Sequence, residues 1–183
     1  GSPDLPGKQS LILFHSSSVS IKTTMSFLSQ IIHNHECRQN LRPYIYATTF
    51  YPLWAGIASK GQAQSLVNNL PVLLTRGGLL TSCYIQGVQW DAPFGWAPLQ
   101  YFAVLGLNRY GYKELALDIA NRFVNTIHIG FQEAHTLFEK YDVQNMSIHT
   151  ENKIQYSYNT NVVGFGWTNG VYLVFNRLIN ANN

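Results

Sequence analysis

Charge is what this sequence lacks most. Only 11% of its 183 residues are Asp, Glu, Lys or Arg, against about a quarter in an average globular protein. A small free-standing domain has much surface to solvate, so this shortage points to extra buried area, such as a subunit interface. The net charge is only +3, and the basic residues are scattered, at Lys22, Lys60, Arg76, Lys113, Arg122, Lys140 and Arg177 among others. No basic stripe results, which argues against a nucleic-acid partner. Cysteine is nearly absent too. Cys37 and Cys83 are too few for a disulfide framework and lack metal-ligand spacing. The six histidines show no such spacing either, so no metal and no cofactor is expected. No apolar run approaches the roughly 20 residues of a membrane-crossing helix, and no membrane partner is expected. Residues 11–14 are too short for a signal-peptide core. The cellular compartment stays open.

What is present is apolar and aromatic. Hydrophobic residues make up 46% and aromatic rings 14% of the chain, enough for a core in one domain. Residues 1–19 are rich in Ser, Pro and Gly and read as a loose arm; residues 20–183 read as one helical domain. Ile21, Met25, Leu28 and Ile32 recur at helical spacing behind Ser20. Pro52 opens a short helix carrying Leu53, Trp54 and Ile57, with Trp54 assigned to the core and Gly61 as the breaker. Ala63, Leu66, Val67 and Leu70 mark the next helix. Gly77-Gly78 begins a loop region. Leu99, Phe102, Ala103, Gly106 and Tyr110 form a stripe stopped at Gly111, and Leu115, Ile119, Phe123 and Ile127 form another. A separate segment covers 131–138. Thr168 is the expected cap of a last helix, with Val171, Val174, Phe175, Leu178 and Ile179 facing inward. The fold class is therefore all-α, antiparallel helix pairs joined by short links.

The densest stretch is Gln89-Trp90-Asp91-Ala92-Pro93-Phe94-Gly95-Trp96-Ala97-Pro98. Pro93 and Gly95 favour a rigid loop over a helix or central strand, and Pro98 suits the first turn of a following helix. Such a loop can hold indole rings beside planar polar groups, which is how sugars are recognised: ring C–H groups meet the aromatic face and hydroxyls meet the amides and carboxylates. Core packing claims most tryptophans in a helical protein. Trp90 is assigned to a cleft, Trp96 to packing that orders the loop, and Trp167 to either role.

These residues resemble a signature of the α,α-trehalases, glycoside hydrolase family 37, with the pattern Gln-Trp-Asp-x-Pro-x-Gly-Trp-x-Pro. Three further runs are similar to motifs of that family, in the same order: Pro52-Leu53-Trp54-Ala55-Gly56, Glu139-Lys140-Tyr141-Asp142-Val143, and Gly164-Phe165-Gly166-Trp167-Thr168-Asn169-Gly170-Val171. The resemblance covers about 46–178 and corresponds to the C-terminal part of a usual trehalase. It implies an (α/α)6 toroid, of which the helices here supply about half. It also implies inverting hydrolysis of α,α-trehalose to glucose.

An inverting glycosidase needs a carboxylic acid and a carboxylate base about 6.5–9.5 Å apart. The resemblance places the family's acid upstream of these residues. Its base is a Glu followed by Tyr after a glycine run. Here the glycine run is missing and the local match is Gln155-Tyr156; an amide cannot take a proton from water at neutral pH. Glu151 could serve only in a shifted register. Of the nine carboxylates, Glu139 and Asp142 read as a structural network with Lys140. Asp91 either binds a sugar hydroxyl or caps its own loop. The expected substrate-binding set is Gln89, Trp90, Asp91, Phe165 and Trp167. The chain alone is expected to be catalytically inactive, with weak or lost affinity for trehalose or a related glucoside. A half-toroid leaves apolar faces that a homodimer would cover. The alternative is a non-catalytic sugar-binding or structural remnant acting through self-association.

Overall fold

The computed structural model describes residues 45–150, 154 and 160–182. The expected arm at 1–19, the helix at 20–35, Cys37, Glu151 and Gln155 lie outside the described residues.

The architecture of the described residues is predominantly helical, consistent with the helical fold the resemblance implies. The described chain enters by a bridge between Tyr46 and Ser82 and a 3-10 turn at Ala47–Phe50. It continues into α1 (Tyr51–Ala55), with Pro52 in the first turn. Gly56 ends α1 at φ 74°, a conformation that costs a residue without Cβ little. The expected breaker, Gly61, instead lies inside α2 (Lys60–Asn69). A capping box starts α2 before it: Gln62 N–H donates to Ser59 Oγ, and Ser59 N–H donates to Gln62 Oε1. Trp54 is not a core residue; it is 43% exposed. Leu53 takes the inward position of this short helix, against Gly106, where a Cβ would stand 2.9 Å from Leu53 Cβ.

Two central helices, α3 (Ala97–Arg109) and α4 (Lys113–Ala134), are joined through Tyr110, Gly111 and Tyr112. Pro98 sits in the first turn of α3, where its missing N–H would have no intrahelical partner. On α4 the stripe Ala116, Ile119, Ala120, Phe123, Val124 and Ile127 is buried, as its spacing predicts. α4 runs on through the residues read as the start of a separate segment. Gly130 does not break it; the missing Cβ admits Ile148, whose Cγ2 would otherwise lie within 2.4 Å. His135, at φ 54°, closes the helix. The last helix, α5 (Gly166–Asn180), buries Val171 and Phe175, with Val174, Leu178 and Ile179 partly covered. Its first residue is Gly166, so Thr168 is not the cap: its hydroxyl donates to Phe138 O at 2.6 Å.

The expected loop after Gly77 contains short strands. β1 (Leu74–Thr75) pairs with β2 (Gly78–Leu79), and β3 (Phe94–Trp96) pairs antiparallel with β4 (Lys140–Asp142). Pro93 precedes β3, so its missing donor does not interrupt that ladder. Gly95 is needed because a Cβ would meet Val143 Cγ1 at 2.5 Å and Leu79 O at 2.6 Å. Buried Gln100 ties this region to α3: its Nε2 donates to Leu79 O, and its Oε1 accepts from Leu79 N–H. Pairing with a segment distant in sequence leaves no local signature, which is why β3 read as loop; β1 and β2 are only two residues each. No helix among the described residues is long and apolar enough to cross a membrane.

Candidate functional site

The β3–β4 ladder places Trp96 opposite Lys140. Trp96 is only 1% exposed, and the other rings assemble around it. Trp90 stacks on it, with centroids 3.8 Å apart and planes 15° apart. Trp167 meets it edge-on at 5.7 Å and 69°. Phe165 lies beside Trp167 at 4.5 Å. Trp96 Nε1 donates to Gln89 O, and Trp167 Nε1 donates to Glu139 O at 3.2 Å. The outcome is an aromatic wall: a buried indole in the middle, Trp90 and Trp167 half-open to solvent on either side.

Two backbone pairings bring Phe165 and Trp167 there. Glu139 N–H donates to Val162 O, and Gly164 N–H donates to Leu137 O. The approach to α5 therefore runs alongside the start of β4. Gln89, Trp90, Phe165 and Trp167, far apart in sequence, are gathered around one ring. Gln89 also carries a buried side-chain oxygen, Oε1, with no hydrogen-bond partner. Buried polar atoms without partners are uncommon.

Asp91 adjoins the wall but faces its own loop. It is 3% exposed; Oδ1 accepts from Ser82 Oγ at 3.1 Å and Oδ2 from Gln86 N–H at 2.7 Å. Ser82, which ordinary serine composition gave no reason to single out, is therefore part of the site's frame. Asp142 likewise holds a turn, accepting from the backbone N–H groups of Gln144 and Asn145.

Glu139 and Lys140 form a buried ion pair, Nζ to Oε2 2.9 Å, with side chains 4% and 0% exposed. Lys140 Nζ also donates to Thr160 O and lies 5.4 Å from the Trp96 ring centre. Asn161 fixes the Lys140 backbone from both sides: its Oδ1 accepts from Lys140 N–H and its Nδ2 donates to Lys140 O. Nothing in the sequence marked Asn161. Burial pushes the Tyr141 phenol up to about 12, partly offset by the hydrogen bond it accepts from Phe138 N–H.

The class the fold defines is a helical domain that carries an aromatic wall on a short two-stranded ladder. Comparison with known proteins makes this specific. The trehalase family model matches residues 32–180. The chain is 40% identical over 141 residues to the periplasmic trehalase of Xanthomonas oryzae pv. oryzae (strain MAFF 311018), covering 76% of this chain and 24% of that protein. The periplasmic trehalase of Xanthomonas axonopodis pv. citri (strain 306) matches with the same identity and coverage. Among solved structures, the neutral trehalase of Saccharomyces cerevisiae superposes with a TM-score of 0.62 at 35% identity, covering 77% of this chain and 25% of that one. The chain belongs to the trehalase family. It spans about a quarter of the length of the curated relatives it matches.

Proposed function

We propose that this chain supplies the aromatic wall of a trehalose subsite in a trehalase-type glycoside hydrolase, and that by itself it does not hydrolyse trehalose. The observation that carries the reading is Trp90, held flat by a buried indole, 43% exposed and adjacent to the unpartnered Gln89 amide oxygen. A glucose ring offers C–H groups to such a face. Its hydroxyls can donate to an amide oxygen that has no other partner once a small side-chain movement opens it. Phe165 and Trp167 extend the same surface, and Asp91 shapes the loop that presents it. The missing turnover rests on the residues read for the two catalytic roles. Gln155 stands at the local match to the family base, and Glu151 reaches that role only by a change of register. One wall buries little of a disaccharide, so affinity is weak. Titration with trehalose, read by tryptophan fluorescence beside a glucose-release assay, tests both halves: the reading expects a saturable response without glucose above a buffer control.

A second reading, self-association of the chain as a homodimer, is favoured by a different observation. Trp54, Ile57, Phe131 and Leu173 are exposed by 43%, 51%, 46% and 51%. Leaving apolar area in water forgoes about 25 cal/mol per Å², and closed two-fold pairing covers the same faces on both copies. Light scattering coupled to size exclusion tests it: a mass held near the 20.7 kDa of one chain across concentration excludes the dimer.

A further inference from the structure

We infer that the buried Glu139–Lys140 dipeptide is the positioning device of the aromatic wall, setting the orientation of Trp90 through Trp96 and of Trp167 through the Glu139 carbonyl. The inference rests on the subsite reading above and deepens it. Lys140 touches neither exposed ring directly. Its Nζ sits 5.4 Å from the centre of Trp96, within the range at which a cation is attracted to an indole face, and more strongly where water is excluded. Trp96 carries Trp90 on its face at 3.8 Å. The preceding residue, Glu139, serves two other purposes at once. Its carboxylate neutralises the ammonium at 2.9 Å, without which a wholly buried charge would be costly. Its carbonyl accepts the Trp167 indole N–H at 3.2 Å. Two adjacent residues thus contact Trp96 and Trp167 directly, and Trp90 through Trp96. The β3–β4 register, Trp96 against Lys140, and the Asn161 clamp on both backbone groups of Lys140 fix where the cation stands. A buried ion pair is often replaceable by apolar residues without loss of stability, so its place against the Trp96 ring is better explained by orientation than by folding energy.

The test uses the full chain and the double variant Glu139→Gln/Lys140→Met, which removes both charges and keeps both side-chain lengths. Closely packed indoles give an exciton couplet in far-ultraviolet circular dichroism, a signature of the combined Trp90–Trp96–Trp167 geometry that does not depend on sugar. The couplet is expected in the wild type and largely lost in the variant, with helix content retained. The fluorescence response to trehalose is expected to move to about threefold to tenfold higher concentration, the effect of losing one cation–π contact. Lys140→Arg, which keeps a cation over the ring beside the unchanged Glu139, is expected to retain the couplet. If the double variant does not fold, Glu139→Gln/Lys140→Gln, an uncharged pair that still hydrogen-bonds, is read in the same way. A folded variant with an unchanged couplet overturns the inference and leaves the pair a structural one. A couplet lost on substitution, in a chain whose wild type gives no response to trehalose, upholds the positioning role while the subsite reading fails.

Discussion

Trp90 and Trp54 are each 43% exposed, yet their settings have little in common. Trp90 lies flat on Trp96, which is buried, hydrogen-bonded to Gln89 O and close to a buried ammonium. Trp54 meets Phe102 edge-on at 4.8 Å, and Phe102 in turn meets Tyr51 and Tyr101. A polar contact beside Trp54 reaches its backbone rather than its ring: Arg109 Nη1 donates to Trp54 O. One ring is presented in a fixed plane; the other is half of an apolar packing surface. Exposure alone does not separate a ring fixed by buried neighbours from one on an uncovered core face. The atoms behind the ring do.

The strongest break in this comparison comes from removing what lies behind each ring. Trp96→Ala should destabilise the chain by about 3–5 kcal/mol, the usual cost of emptying a buried aromatic site. Trp54→Ala should cost about 1 kcal/mol, because its ring is already half in water. Chemical denaturation of both variants checks the contrast, and equal losses would erase it.

Next in size is a pH effect at Tyr141, in β4 and packed on Phe123 and Phe138. Tyr141 is held neutral, with its phenol raised from 10.0 to about 12 by burial. A raised folded-state value means this contribution is fully present below pH 10 and is lost as pH rises through about 12. The change amounts to up to about 3 kcal/mol. Unfolding midpoints measured from neutral to alkaline pH should fall in that window, and Tyr141→Phe should flatten the dependence. The wild type and Tyr141→Phe should agree below it, apart from the constant cost of the lost hydrogen bond from Phe138 N–H.

The smallest effects separate the two surfaces by function rather than stability. Trp54→Gln should lower self-association in light scattering while leaving the fluorescence response to trehalose in place. Trp90→Ala should do the reverse. Each should change stability by only about 1 kcal/mol. A Trp54 variant that loses the sugar response, or a Trp90 variant that loses self-association, would show that the two surfaces are one.

The helices were legible in the sequence because their signal is local. Leu115, Ile119, Phe123 and Ile127 repeat at helical spacing, and Pro98 marks a helix start whatever the fold around it. The strands were not legible, since β3 pairs with β4 across an intervening pair of helices. Gly95 looked like a loop residue, but it is glycine because Val143 and Leu79 crowd it from elsewhere in the chain. The tryptophans and Gln89 could be picked out from the motif, and the structure gathers them around Trp96. Asn161 and Ser82 could not, because an Asn or Ser that fastens a distant backbone or carboxylate has no distinctive neighbours in sequence. Trp54 was misplaced because a helix period shows which residues share a face, not whether anything covers that face.

The central claim is that the wall binds trehalose through Trp90 without hydrolysing it. Calorimetric titration of the 183-residue chain with trehalose, beside Trp90→Ala and with glucose assayed in the same cell, tests this most directly. The account predicts weak saturable heat in the wild type, its loss in Trp90→Ala, and no glucose from either protein. Wild-type heat that survives in Trp90→Ala, no heat at millimolar trehalose, or glucose release that persists through purification would contradict it.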